Sequence, residues 1–552
     1  MSYFDVDVYS RQVTTTSPDA QIWFDRGLIW CFAYAHEEAA ECFERAIKRD
    51  PNCAMAHWGL AYATGPNYNL PWDLRDPTMR ENSLAVAFDA VEAALACTNV
   101  SASEKALIDA LQTRFPQREP TDLDVMRGWN DDFTEAMRRV HADYPDDLDV
   151  RTFLVEAIMN RTPWQMWDLV SGQPNPQADT LEAQALCEDA MRDDPATWKH
   201  PGLLHLYVHL MEMSPTPEMA LKAGDVLREL VPDSGHLAHM PTHIDIQCGN
   251  YHDTLFWNQR AMAVDAKYKA RNGSENIYTG YRIHNSHFAA YGAMFLGQIK
   301  PALAAAEAII EDVPVDLLRV TSPPMADYFE AYADVKDHIL IRFGRWQDII
   351  DMDMPDDPEV YRNLTAIRHY AKGVAYAATG DVENAEKHQD HFYKTRALVP
   401  KARKLHNVAC YLKYEVAECM LKGEIEYRKG NYDEAFAQLR LSVAREDALP
   451  YDEPWGWMQP TRHALGALLF EQGNIDEAEI VYREDLGLAG SIPRPQIHPD
   501  NVWSLRGLAD CLKARGAFDT PEGQLIAQRL KYANARSDMP VNASCFCAQA
   551  AQ

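Results

Sequence analysis

The sequence predicts an all-α protein, a right-handed superhelix of stacked antiparallel helix pairs, on three observations. A short turn signature recurs along the chain, the residues on either side of it keep helical period, and strand signals are almost absent. The signature is a Gly, an apolar residue two places on and often Ala at five. It reads GNYHDT from Gly249, GQIKPA from Gly297, GDVENA from Gly380, GNYDEA from Gly430 and GNIDEA from Gly473, with weaker copies at Gly344 and Gly516. After Gly430, Ala435, Phe436, Leu439, Leu441 and Val443 continue the apolar period. Near the start, HEEAAECFERAIKRDPNCAMAHWGLAYA sets Ala39, Phe43 and Ala46 on one helix face, and Pro51 ends that helix.

At 552 residues the chain has room for three or four domains or one long array. The repeats favour the array: an extension over 1–19, one continuous helical array over 20–535, and a tail over 536–552 expected to be flexible. With 53 basic and 82 acidic residues the net charge is −29, which repels phosphate backbones and anionic lipid, so neither nucleic acid nor a membrane surface is the expected partner. The N-terminus has no basic and apolar leader, and no apolar run is long enough for a membrane span. Eleven cysteines without framework spacing read as reduced thiols, so the expected compartment is the cytoplasm.

The repeat resembles the tetratricopeptide repeat, whose turn Gly, small Ala and terminal Pro are all present. The resemblance covers most of 20–535. The spacing exceeds the family's usual length, which implies longer helices or linkers between units. A second resemblance is to a group of bacterial and fungal tetratricopeptide-repeat proteins. It rests on HPGLLHLYVHLMEMSP, GHLAHMPTHI, YDEPWGWMQPTRHALGALLFEQG and HPDNVWSLRGLADCL. It implies one architecture throughout and names no substrate.

Two stretches break the pattern, GPNYNLPWDLRDPT (65–78) and ALPYDEPWGWMQP (448–460). Both are too apolar to be plain linkers. They either pack over helix ends or cover a pocket, with Trp72, Trp455 and Trp457 as its walls.

The histidines carry the chemistry. Nine of the 19 lie within 200–287. His239 and His287 each stand ten residues before a turn Gly, and His205 ten before Pro215, the turn of the preceding unit. His209 and His243 share a position six before their turns, as does His338. His205/His209 and His239/His243 are i,i+4 pairs and His284/His287 an i,i+3 pair, so each pair projects from one helix face. Three adjacent helices would aim six imidazoles at one volume, enough for a dinuclear centre with positions left for water, dioxygen or substrate. All-imidazole ligation suits copper, iron, nickel or zinc and disfavours magnesium and calcium. His236 is a supplementary ligand, and Glu212 and Asp245 are partners for ring N–H groups or, around zinc, bases for a metal-bound water. His36 and His57 read as structural. His463 shares the ten-residue register and stands as a substrate-side residue.

The expectation is therefore a metal-dependent enzyme, copper favoured, acting as an oxidoreductase on a small apolar or aromatic substrate. Its rival is a scaffold that holds a protein or peptide partner without catalysis. No phosphate loop, dinucleotide fingerprint, HExxH or nucleophile elbow occurs.

Overall fold

The computed structural model describes residues 3–548, most of them in helices. Met1, Ser2 and residues 549–552, the extreme ends of the expected extension and tail, lie outside the described residues. Among the described residues, regular strand is confined to a short antiparallel hairpin, Lys404–Leu405 with Val408–Ala409. The chain forms two compact units: Met1–Ile244 with Ala263–Tyr278, and Asp245–Met262 with Thr279–Gln552.

The first unit opens with the pair Pro18–Phe32 and His36–Arg49. Ser17 caps the first helix by accepting from the Ala20 N–H, and Pro18 fills the position where a missing N–H costs nothing. The second helix stops before Pro51, and Ala54–Thr64 follows. These three helices close on one ring. Phe43 is fully buried, and a Cβ would come within 2.7 Å of it at Gly27 and 2.3 Å at Gly59. Two glycine faces thus receive one aromatic side chain from the helix between them, a burial worth about 1.5–3 kcal/mol.

The second unit repeats that arrangement with explicit turns. Helix pairs such as Arg362–Ala378 with Val382–Arg396, Cys410–Arg428 with Tyr432–Asp447, and Thr461–Glu471 with Ile475–Asp485 each bend at a signature glycine. All seven signature glycines have φ between +61° and +86°, the left-handed region that closes a helix C-terminus. Bulk again meets glycine across the pairs. A Cβ would lie 2.8 Å from Leu421 at Gly373 and 2.8 Å from Leu439 at Gly423. At Gly466 and Gly507 the obstacle is the ring of Tyr482, at 2.6 and 2.2 Å.

Residues 537–548 carry no regular helix, yet Val541, Ser544, Phe546, Cys547 and Ala548 are buried in the second unit. Cys545 and Cys547 are joined by a disulfide.

Two stability predictions follow from this packing. Gly59→Val puts branched bulk against a ring already held on both sides, and urea denaturation should show a loss of about 2 kcal/mol. Glu446 is buried in the second unit and accepts from the Thr461 N–H and hydroxyl. Burial pushes its carboxyl up from 4.5 to about 8. The folded chain therefore holds a proton between those values that the unfolded chain releases, and stability present below pH 4.5 is lost as pH rises to 8. Glu446→Gln should melt higher than the unmodified chain at pH 8.5 and close to it at pH 5.

Candidate metal centre

The site is built in the first unit, and its placement begins with a histidine that takes no part in it. His200 caps the helix Pro201–Met211 through Nδ1, which accepts from the Leu203 N–H at 3.1 Å, while its Nε2 faces Asp149. Gly202 follows, and a Cβ there would sit 2.4 Å from the Phe32 ring. That close approach brings the Phe32 carbonyl to 2.6 Å from His205 Nδ1. The Nδ1–H is thereby fixed as a donor, which leaves Nε2 as the lone-pair nitrogen.

His205 Nε2 lies 3.1 Å from His236 Nε2. That is an N–H···N hydrogen bond, and its length is also close to the roughly 3.3 Å that separates two nitrogens bound to one tetrahedral ion at about 2.0–2.1 Å. His209, one turn further along the helix, donates Nδ1–H to Glu212 Oε1 at 2.8 Å, and its Nε2 is the coordinating atom. One ligand nitrogen from each of His205, His209 and His236 falls within 4.8 Å of the others. All three are buried. Burial, and after it the neighbouring His209, holds His205 well below the usual imidazole range, in the neutral form that a metal takes.

The next segment arrives as two short helices, Gly235–His239 and Thr242–Gln247, separated at Met240-Pro241. Ser234 caps the first of them, and Gly235 allows the Asp265 carboxylate to approach where a Cβ would be 2.1 Å away. Across the break His239 Nε2 and His243 Nε2 face each other at 2.8 Å. His243 Nδ1 donates to Glu212 Oε2 at 2.5 Å. A single carboxylate thus orients one imidazole from each segment, with one oxygen on each. The His236 and His239 rings are 5.8 Å apart and those of His209 and His243 6.0 Å, so five imidazoles form one continuous group.

Two tyrosines, not singled out in the sequence, complete the surroundings. The Tyr34 ring stands 4.6 Å from His205, 5.7 Å from His209 and 5.6 Å from His236. Tyr68 lies 5.0 Å from His209. Tyr34 has φ +55°. Its N–H bonds to the Cys31 carbonyl and the next N–H to Trp30, and the Gly380 turn shows the same two bonds, to Ala377 and Tyr376. A tyrosine therefore occupies the left-handed turn position that glycine takes elsewhere. Such a residue costs about 1–3 kcal/mol and tends to mark a functional site. The signal in the sequence was the first repeat's missing turn glycine. His36 stacks on Tyr34 at 5.6 Å, and burial, with the charges of Arg75, Arg114 and His205, lowers it to about 3.

The remaining sequence candidates take the following positions. Trp72 is buried, with the Arg75 guanidinium over its ring, and Tyr68, from the same loop, borders the group. His57 bonds the Pro51 carbonyl. Glu212, expected as a possible base, has both oxygens engaged by imidazoles and acts through them. Asp245 lies in the second unit, where its carbonyl accepts from the Asn250 N–H and its carboxylate from the Asn250 amide, bracing the Gly249 turn. His284 and His287 also belong there. His284 lies 5.3 Å from His406, and His287 Nε2 is 2.8 Å from the Met458 sulfur. Trp455 and Trp457 are buried, Trp457 against His338 and Tyr370. His463 accepts from Arg342 at Nδ1 and donates to Asp485 from Nε2, at 2.6 and 2.9 Å, so both ring nitrogens serve the packing of the second unit rather than a substrate.

The tetratricopeptide-repeat family model matches residues 36–63. No curated protein matches the chain. Among solved structures, yeast Tom70 is 10% identical over 93% of this chain and 92% of its own, with a TM-score of 0.30. The Cut9 complex with Hcn1 is 11% identical over 97% and 96%, at 0.29, and the P58(IPK) TPR domain is 11% identical over 94% and 98%, at 0.17. The helix pairs and left-handed turns of the chain itself, with that family match, make it a tetratricopeptide-repeat-like helical protein. Among the described residues no helix is long and apolar enough to cross a membrane.

Proposed function

We propose that the first unit binds a transition-metal ion through His205, His209 and His236, and that the chain is a metal-dependent oxidoreductase built on a helical-repeat scaffold. The observation that carries this reading is the approach of three buried imidazole nitrogens to within 4.8 Å of one another. Two further features support it. Phe32 and Glu212 hold the Nδ1–H of His205 and His209, which directs Nε2 inward. Tyr34 keeps a strained backbone beside all three rings. The ligand set suits copper or iron for redox chemistry on a small organic substrate, and zinc for hydrolysis. Engagement of both Glu212 oxygens favours redox over a carboxylate-assisted hydrolysis.

A second reading, a scaffold that binds a protein partner without turnover, draws on the family match at 36–63 and the repeated helix pairs.

Elemental analysis of untagged protein separates the two. Near-stoichiometric copper or iron supports the oxidoreductase, zinc moves the assignment to hydrolysis, and a folded protein that takes up no metal leaves the scaffold. His205→Ala with His236→Ala should abolish uptake and keep the helical circular dichroism, whereas His57→Ala should retain the metal. Glu212→Gln presents an amide N–H to one of two ring N–H donors, and a chelator competition should show metal affinity lower by about 10–100-fold.

A further inference from the structure

The chain's last described segment lies in a groove of the second unit, and its mode of attachment is that of a ligand. Ser537 and Asp538 anchor it at the Gly297 turn. The Ser537 hydroxyl donates to the Gly297 carbonyl at 2.8 Å, and the Asp538 carboxylate accepts from the Ile299 and Lys300 N–H groups at 3.0 and 3.1 Å. Beyond that point the backbone makes no helix or strand. Its carbonyls are held by three arginines from three different helices. Arg506 donates to Val541 at 3.0 Å, Arg342 to Ser544 and Arg428 to Cys547. The bonded carbonyls are three residues apart along a segment that bends at 543–544 and turns over 545–548, where the Ala548 N–H bonds the Cys545 carbonyl.

Val541 is buried beside the Gly297 turn, and two further positions make specific side-chain contacts. The Ser544 hydroxyl meets the Tyr482 hydroxyl at 2.5 Å and donates to the His463 carbonyl at 3.0 Å. Phe546 packs over Gly344, where a Cβ would come within 2.6 Å of it, and meets Trp503 edge-on at 5.9 Å. Arg342 itself lies over the Trp503 ring at 4.0 Å, and burial lowers its guanidinium to about 9. In a chain of net charge −29, three arginines gathered on one short segment form a built feature.

We propose that this surface is a binding site for a bent peptide segment that carries a small hydroxyl residue and, two places later, an aromatic one, and that the chain's own 537–548 segment is its resident occupant. Backbone carbonyls carry no sequence information, so the arginines accept any segment that follows this bent path, and the Ser544 and Phe546 positions set the preference. Tethering to the helix Pro521–Arg536 gives the resident segment an effective concentration of order mM, so an incoming peptide competes only when that segment is displaced. The inference rests on the second unit and is independent of the metal centre.

The test uses the full-length chain and a fluorescent peptide of sequence 537–548. Phe546→Asp should expel the resident segment. The labelled peptide should then bind that variant at least tenfold more tightly than the unmodified chain, and Arg506→Ala added to Phe546→Asp should reverse most of the gain. A second variant, with 541–548 replaced by Gly-Ser of equal length, should behave as Phe546→Asp does. Equal binding to all forms, or no binding to variants that keep their helical signal and melting temperature, overturns the proposal. Loss of the folded state in both tail variants also overturns it, because the segment would then be core rather than ligand.

Discussion

Helices in this chain carry more apolar surface than a single partner covers, and they meet where a glycine on one faces a bulky side chain on the next. Phe43 between Gly27 and Gly59 sets the spacing in the first unit, and Tyr482 between Gly466 and Gly507 does so in the second. Any side chain at those glycines would force the helices apart and expose the faces that hold each unit together. The same device at Gly202, against Phe32, delivers the carbonyl that orients His205. Core packing and site geometry therefore depend on one type of contact.

Buried imidazoles are expensive unless their nitrogens are satisfied. The two units meet this demand in different ways. In the second, Asp485 accepts from His463, His498, Asn501 and Ser504, and Tyr291 donates to His498. Its carboxyl is held well below the usual range despite burial, chiefly by the charges of the two histidines it receives. There the network closes on itself and fixes helices. In the first unit the Nδ1 sides are tied to Phe32 and Glu212, while Nε2 atoms face one another at 3.1 and 2.8 Å. With Nδ1–H fixed on His205 and His243, each pair has one bare Nε2 that accepts from the facing ring, and the proposed metal site draws on those lone pairs.

The strain at Tyr34 fits that division. A helical turn built with glycine everywhere the signature recurs has here a tyrosine in the left-handed conformation, with its ring against three imidazoles. Local stability is given up beside the histidine group.

The sequence by itself determined the helical class, the seven turns, and the i,i+4 pair that places His205 with His209, because helical period and the φ demand of a turn are local properties. His239 and His243 instead meet across a helix break at Met240-Pro241 that the period did not show. Tertiary structure decided the rest. Only packing shows that Glu212 joins His209 to His243, that His236 rather than a more distant histidine meets His205, and that Tyr34 and Tyr68 border the group. His463 shares a register with His205 yet serves Asp485, since register fixes a position along a helix and says nothing of the neighbour it meets. The tail gave no periodic signal because its backbone is bound by arginine side chains from residues far away in the chain, an interaction with no local signature.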